Sequence, residues 1–184
     1  MLAPGLVVWH KYVTVPEDAL NVEVVAYQWG WKYRLPGEDG ILGKTDIKFI
    51  NDENPFGLNL DDPNGKDDLL VDNGDLHLQI DKPVKLLLRS LDVIHNFYVP
   101  QFRAKMDMLP GLVTYYWLTP IRTGDFEALC VEFCGVGHYA MRGRVFVDEK
   151  KNYNQWLAQQ ITFEKMLAQN KMENKSLKLV KNTE

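Results

Sequence analysis

The chain has 184 residues, of which 46% are hydrophobic and 25% are charged, and its net charge at pH 7 is −4. These values are ordinary for a globular protein, and the length fits one domain that can bury a core. The negative charge argues against nucleic acid as a partner, because phosphate binding requires a basic face. It permits a basic protein partner, since opposite charges steer encounter.

The beginning of the chain shows no targeting or membrane signal. No stretch approaches the roughly 18 consecutive apolar residues that a spanning helix needs. The first residues also lack the charged and apolar regions of a signal peptide. We therefore expect the chain as given to be soluble, with residues 1–19 as a lead-in to the folded part.

Residues 20–34 are rich in β-branched and aromatic side chains and contain few helix formers, which predicts a strand. Further short segments, separated by turn signals, also predict strands. They are 76–80, 84–90, 112–118, 125–131 and 142–147. Short strands at this spacing are typical of an all-β sandwich or barrel.

The segment 36–75 differs in composition, with eleven acidic and three basic residues and several Gly and Pro. It predicts a long acidic loop or insertion, with one short strand at 46–50. The Asp and Asn spacing weakly suggests calcium, but the pattern that ends in a bidentate Glu is missing. We favour a solvated acidic loop, the usual state of such charge runs.

After Asp148 the periodicity changes to that of a helix. Residues recur at spacings of three and four, namely Tyr153, Trp156, Leu157, Gln160, Ile161 and Leu167. This predicts a C-terminal helix over 151–170 that packs on the sheet or on a partner. Residues 171–184 are polar and Lys-rich and predict a flexible tail.

A short run of the sequence holds four soft or borderline metal donors. They are Cys130, Cys134, His138 and Met141. Thiolate, imidazole and thioether together favour copper, whereas zinc rarely takes Met. Gly135 and Gly137 allow the positive φ and the close backbone approach that a loop curling round an ion requires.

The second cysteine changes the kind of copper site that is expected. A mononuclear blue-copper centre needs two His, one Cys and a weak axial Met. Two thiolates can instead bridge two copper ions, each of which then needs one His and one weak ligand. His95, at a predicted strand end, is the best second His, and the Glu132 carbonyl and Met141 sulfur are candidate weak ligands. Because protein groups fill every position, this site predicts an electron relay.

Each of these residues has a plainer explanation when it is considered alone. Cys130 and Cys134 could form a disulfide in an oxidising compartment. A single His such as His95 is usually a hydrogen-bonded core residue, and a single Met usually fills a core. The combination of all of them favours copper. His10 and His77 have no such neighbours and are interpreted as surface or structural residues.

Four separated motifs follow one another along the chain. They are Gln28-Trp29-Gly-Trp31, Asp92-Val-Ile-His95, Lys105-Met-Asp107-Met-Leu-Pro-Gly111 and the run Cys130–Met141. Over residues 20–157 they resemble subunit II of cytochrome c oxidase, in its copper-A domain. The resemblance implies an all-β, cupredoxin-like Greek-key β-barrel or sandwich over 20–150. The long insertion at 36–75 indicates a bacterial type.

The same resemblance implies roles for individual residues in a binuclear copper-A centre. Cys130 and Cys134 resemble the bridging thiolates, His95 and His138 the terminal imidazoles, and Met141 and the Glu132 carbonyl the weak ligands. The Glu132 side chain resembles the residue that reaches a magnesium ion at the interface with subunit I. Trp29 matches the aromatic that receives electrons from cytochrome c, although it could simply be a strand aromatic. Asp92 and the acidic segment fit either docking of a basic cytochrome or plain solubility.

The implied function is electron transfer within a terminal oxidase. Electrons would pass from cytochrome c to the copper pair and then to heme a of subunit I, where oxygen is reduced to water. The expected location is the periplasmic face of the bacterial cytoplasmic membrane, with membrane contact only through missing helices or partner subunits. Because the family normally begins with one or two spanning helices, we expect this chain to be a soluble fragment whose residues 1–19 are the remnant of a linker. Gly137 stands where many members have Asn.

Three other functions compete with this one. The copper-A domain of nitrous oxide reductase has similar Cys-x3-Cys-x3-His-x2-Met spacing, but typically has Trp where Glu132 stands. A copper carrier or assembly protein would predict exposed ligands and exchangeable metal. A disulfide-bearing binding module would fold without copper and lose nothing on removal of His95.

Overall fold

The structure is a computed structural model that describes residues 2–71, 75–170 and 172. It divides into two compact units, Met1–Tyr33 with Val71–Ala158 and Arg34–Leu70 with Gln159–Glu184. The flexible tail predicted at 171–184 lies outside the described residues, apart from Met172. Within the described ranges, no helix is long and apolar enough to span a bilayer.

Strands predominate along the chain, with helices near its two ends. The elements are α1 (Leu2–Val13), β1 (Leu20–Tyr27), β2 (Gly30–Leu35), β3 (Leu69–Val71), β4 (Asp75–Gln79), β5 (Val84–Ser90), β6 (His95–Val99), β7 (Ala104–Met108), β8 (Thr114–Leu118), β9 (Gly124–Cys130), β10 (Arg142–Asp148), α2 (Lys150–Leu157), β11 (Ile161–Thr162) and α3 (163–170). The side chains of α1 are all exposed. The prediction of an all-β fold with helix at the C-terminal end is confirmed.

Most predicted strands match the structure within a few residues. The strand predicted over 20–34 is instead two strands, β1 and β2, because the chain turns at Gln28 and Trp29. The Gln28 N–H donates to Asp92 Oδ2 at 2.6 Å, and the Gln28–Trp29 peptide bond is cis. The strands β6 and β7 were not predicted, although Ala104–Met108 alternates apolar and polar residues and His95–Val99 ends in three residues that favour strands. His95 is the first residue of β6.

Two sheets build the first unit. One contains β2, β1, β5 and β8 in that order, and the other contains β4, β10, β9, β6 and β7. The pairs β1–β5 and β4–β10 are parallel, whereas β5–β8, β9–β10, β6–β9 and β6–β7 are antiparallel. Parallel neighbours far apart in the chain require crossover connections, as in a Greek-key arrangement.

The core of the first unit lies between these two sheets. Alternate residues of β5 are buried, as expected for a strand with one face inward. Trp31 of the first sheet packs edge-to-face on Phe97 of the second, with ring centroids 5.1 Å apart. Trp31 is 2% exposed and Phe97 is fully buried, so this aromatic pair joins the sheets directly.

The second unit shows that the acidic segment is folded, which corrects the prediction of a solvated loop. Asp68 is fully buried and its Oδ2 lies 2.5 Å from Arg34 Nη1. The same carboxylate accepts a hydrogen bond from the Gly43 N–H, and Arg34 also donates to the Gly43 carbonyl, both at 3.0 Å. A buried carboxylate with these partners ties both ends of the segment together.

The strand predicted at 46–50 is wrong. Ile47–Phe49 form a 3-10 turn, and the Asp46 side chain caps it by accepting a hydrogen bond from the Lys48 N–H. An Asp at this position favours a capped turn over a strand, because its carboxylate satisfies a free backbone N–H. The apolar and β-branched residues here therefore do not continue a ladder.

The single helix predicted over 151–170 is also corrected, since it is two helices with a short strand between them. Helix α2 ends at Leu157, and α3 occupies 163–170. Between them, Ile161 and Thr162 pair antiparallel with Leu70 and Leu69 of β3. Both residues are β-branched and favour strand geometry, so pairing with β3 replaces the helical turn.

Candidate metal centre

The two cysteines lie together at the end of β9. Cys130 is the last residue of β9, and Cys134 follows in the loop that leads to β10. Their sulfurs are 3.7 Å apart, and both are free thiols that are 7% and 3% exposed. This distance is far longer than a disulfide bond. It leaves both sulfurs available as ligands that face one another.

His95 approaches this pair from β6. Its Nδ1 lies 3.9 Å from Cys130 Sγ, and its Nε2 donates to Asp92 Oδ1 at 2.8 Å. His95 is fully buried. A carboxylate on the far nitrogen fixes the imidazole tautomer and leaves the Nδ1 lone pair directed at the sulfur, the usual arrangement of a metal-binding His. The donor atoms of His95, Cys130 and Cys134 lie within 4.8 Å of one another.

The remaining predicted ligands are in the loop itself. His138 Nδ1 is 3.5 Å from Cys134 Sγ, and Met141 Sδ is 3.8 Å from the same sulfur. The Glu132 carbonyl oxygen is 3.2 Å from Cys130 Sγ, while the Glu132 side chain is exposed. The Cys130 N–H donates to the Met141 carbonyl at 3.2 Å and closes the base of the loop.

The environment of Cys134 favours the thiol over the thiolate. Burial raises the pKa of Cys134 to about 12, and the neighbouring Cys130 adds to the rise. A metal ion that binds here must therefore displace a proton, because the thiolate is the ligand. The site is buried, rich in sulfur and nitrogen donors, and has the donor set that suits copper.

Two glycines give the loop its shape. Gly135 has φ +120, a conformation that residues with a β-carbon rarely adopt. A β-carbon on Gly137 would lie 2.4 Å from Cδ2 of Trp29, so glycine is needed there for close approach of the indole. Gly135 has the expected positive φ, whereas Gly137 has φ −88 and is instead approached by the Trp29 side chain.

Trp29 lies against this loop and is 41% exposed. Its Nε1–H donates to the Cys134 carbonyl at 3.3 Å, and the Gln28 side-chain amide donates to the same oxygen at 2.8 Å. The turn between β1 and β2 therefore contacts residues 131–141, which join β9 to β10 and are called the ligand loop below because they contain proposed ligands. Gln28 was named from the sequence as part of the Gln28–Trp31 motif but was assigned no role.

Asp92 makes contacts that were not predicted from the sequence. Both of its oxygens accept hydrogen bonds, Oδ1 from His95 and from the Val93 N–H at 2.7 Å, and Oδ2 from Gln28. These contacts direct the carboxylate inward, where they lower its pKa against the opposing effect of burial. The spacing of three residues between Asp92 and His95 was the available sequence signal.

The other two histidines lie apart from this cluster. His10 is on the exposed helix α1. His77 stacks between Phe146 and Trp156, with ring centroids 4.5 and 4.4 Å away, and its Nδ1 lies 2.6 Å from Asp148 Oδ2. These contacts agree with surface and structural roles.

Comparisons with known proteins agree with this geometry. The family described as cytochrome c oxidase subunit II, periplasmic domain, matches residues 20–147. The alternative cytochrome c oxidase subunit 2 of Bradyrhizobium diazoefficiens is 63% identical over 163 residues, which are 89% of this chain and 59% of that protein. A probable cytochrome c oxidase subunit 2 of Rickettsia felis is 33% identical over 144 residues, 78% of this chain and 43% of that protein. This chain thus spans about half the length of these curated relatives.

A solved structure has the same fold. The crystal structure of the periplasmic domain of subunit II of cytochrome oxidase (CoxB) of Bradyrhizobium japonicum has a TM-score of 0.58 and 26% identity. The match covers 79% of this chain and 95% of that one. The prediction of a cupredoxin-like fold is confirmed.

Proposed function

Since this chain belongs to the family of the periplasmic domain of cytochrome c oxidase subunit II, we propose that it is an electron relay with a binuclear copper-A centre. It accepts electrons from cytochrome c and passes them to heme a in the catalytic subunit of a terminal oxidase, which reduces oxygen to water. One observation carries this proposal. The two cysteine sulfurs face each other at 3.7 Å, with His95 Nδ1 beside one and His138 Nδ1 beside the other.

The proposed ligand roles follow from these positions. Cys130, Cys134, His95 and His138 would hold the copper pair, and Met141 and the Glu132 carbonyl would be its weaker ligands. When bound, the copper pair supplies a one-electron acceptor and donor. The residues around it keep water out, since His95 is fully buried and Met141 is 1% exposed. Rigid strands and a closed loop hold the ligands in place, so that little has to move when an electron arrives.

Trp29 is the proposed point at which electrons arrive. It is partly exposed, so a donor protein can reach its indole ring, and its Nε1–H contacts the carbonyl of the proposed ligand Cys134. An aromatic side chain with one face exposed and one edge on a ligand residue supports this role.

Exposed apolar side chains on the ligand loop support a protein partner. Phe133, Val136 and Tyr139 are 79%, 84% and 82% exposed. Apolar groups crowded on one exposed loop usually mark a protein contact. We propose that this surface meets the catalytic subunit I at the periplasmic face of the bacterial cytoplasmic membrane. The exposed Glu132 side chain is available there for a magnesium ion in the full complex.

The burial of the proposed ligands favours a relay over the alternatives. A copper carrier needs accessible ligands for exchange, whereas His95, Cys134 and Met141 are each at most 3% exposed. A disulfide-bearing module is opposed by the 3.7 Å separation of the sulfurs. Glu132, where the nitrous oxide reductase type has Trp, supports the oxidase type.

Metal analysis of the copper-loaded chain tests the copper pair. We expect two copper ions per chain and an electron paramagnetic resonance spectrum whose hyperfine pattern comes from one electron shared by two ions. Cys134→Ser should lose the paired signal, because only one bridging sulfur remains. One copper or one zinc per parent chain would contradict the proposal.

Reduction by cytochrome c in stopped flow tests Trp29. Trp29→Phe should slow reduction while the copper content stays at two per chain, since the ring remains but its N–H contact is lost. Trp9→Phe, on the exposed helix α1, is the matched control and should leave the rate unchanged. An unchanged rate in Trp29→Phe would remove Trp29 from the path.

A further inference from the structure

Gln28 links two segments that carry proposed metal ligands. Its side-chain Nε2 donates to the Cys134 carbonyl at 2.8 Å, and its backbone N–H donates to Asp92 Oδ2 at 2.6 Å. Asp92 in turn accepts from His95 Nε2 at 2.8 Å. A single residue in the β1–β2 turn is therefore hydrogen-bonded both to the ligand loop and to the carboxylate that orients His95.

The Cys134 carbonyl accepts two hydrogen bonds from this turn. Gln28 Nε2 and Trp29 Nε1 both point to it, at 2.8 and 3.3 Å. A carbonyl oxygen has two lone pairs and can accept both. The shorter Gln28 bond holds the oxygen in the position that the longer Trp29 bond requires.

The turn between β1 and β2 packs closely against two glycines of the ligand loop. A β-carbon on Gly135 would lie 3.0 Å from Gln28 Nε2, and one on Gly137 would lie 2.4 Å from the Trp29 ring. Two glycines thus form the face on which the Gln28 amide and the indole rest. This close packing brings the Gln28 amide and the Trp29 indole within hydrogen-bond distance of the Cys134 carbonyl.

We propose that Gln28 is a positioning residue, which holds the Trp29 indole on the Cys134 carbonyl. The connection from Trp29 then runs through the hydrogen bond to the carbonyl and along the Cys134 backbone and Cβ to Sγ. Gln28 is not one of the proposed ligands, and it acts through Trp29 and Cys134. This inference rests on the proposed electron-relay function and adds the residue that sets the geometry of its first step.

The metal-free chain provides the first test, because it needs no working copper centre. The indole N–H signal of Trp29 is assigned in a nitrogen–proton correlation spectrum by its loss in Trp29→Phe. Gln28→Met keeps the side-chain length but removes the amide donor, and should shift this signal and speed its exchange with solvent. Gln101→Met is the matched control, since Gln101 is an exposed residue outside the ligand loop, and it should leave the signal in place.

The copper-loaded chain provides the second test. Gln28→Met should retain two copper ions, show a changed hyperfine pattern and accept electrons from cytochrome c more slowly than Gln101→Met. If Gln28→Met does not fold, Gln28→Glu is measured instead, because it keeps size and polarity but replaces the donor by an acceptor. An indole signal that does not move, or a reduction rate equal to that of the control, would overturn the inference. A parent chain without paired copper would instead refute the proposed function, while the metal-free spectrum would still decide whether Gln28 positions Trp29.

Discussion

Cys134 and Asp68 are both buried groups with polar partners, but their partners come from different distances along the chain. Three groups near Cys134, namely Cys130, His138 and Met141, lie within seven residues of it. The partners of Asp68 lie 34 and 25 residues away, at Arg34 and Gly43. The donor atoms around the Cys134 thiol are therefore supplied by local sequence, whereas the partners of the Asp68 carboxylate require closure of a long stretch of chain.

This difference predicts that substitutions in the two regions have different effects. A ligand lost from the loop removes a donor but leaves thiols and imidazoles, which can remain neutral. Loss of Asp68 removes the carboxylate that lies beside the buried Arg34 guanidinium in the second unit, and breaking a buried ion pair is strongly destabilising. Substitutions in the acidic segment should therefore reduce folding stability more, and substitutions in the ligand loop should reduce metal affinity more.

The largest effect is expected for Asp68→Ala. It leaves the Arg34 guanidinium buried without its carboxylate, which typically costs about 3–5 kcal/mol. Chemical denaturation should show a lower free energy of unfolding for the second unit. Asp61→Ala, an exposed acid in the same segment, is the control and should leave the midpoint unchanged. Equal midpoints for the two variants would mean that the buried pair does not hold the segment together.

A smaller effect, on metal affinity, is expected for Asp92→Asn. The neutral amide no longer holds the His95 tautomer with a carboxylate, and loss of such a partner typically lowers metal affinity about 10–100-fold. Competition titration with a copper chelator measures this change. Asp18→Asn, on an exposed residue before β1, should bind copper like the parent. Parent-like affinity in Asp92→Asn would mean that the ligand loop alone orients the site.

The smallest effect is expected at an exposed ion pair. Asp125 and Arg144 pair between β9 and β10, and their side chains are 49% and 56% exposed. Because solvent screens such pairs, Asp125→Asn should leave the denaturation midpoint unchanged within error. A clear drop in that midpoint would show that burial is not what separates the Arg34–Asp68 pair from an ordinary surface pair.

The strands of the first unit were largely predictable, because each carries its own signal. β5 alternates buried and half-buried residues, and the turn signals around it set its limits. β6 and β7 were not predicted, although the alternation of apolar and polar residues in Ala104–Met108 is a strand signal; in the structure the two strands pair with each other. The 3-10 turn at Ile47–Phe49 was also not predicted. Its apolar residues favoured a strand, but the Asp46 side chain caps a turn there.

The acidic segment shows why composition alone misleads. Eleven acidic residues predict a solvated loop, and most of them are indeed exposed or half-buried. One of them, Asp68, is fully buried because Arg34 and Gly43 reach it from far along the chain. No local pattern distinguishes Asp68 from Asp67, so burial of this single carboxylate becomes visible only in the folded unit.

The sequence by itself determined which candidate donors cluster at the proposed metal centre, because Cys130, Cys134, His138 and Met141 share one short run. It also led to His95 through its motif. Only the tertiary structure decided that the Gln28 amide and the Trp29 indole share the Cys134 carbonyl, since these contacts join residues 106 and 105 positions apart. Pairings over such distances depend on which strands become neighbours, and strand order is a property of the whole fold rather than of a local pattern.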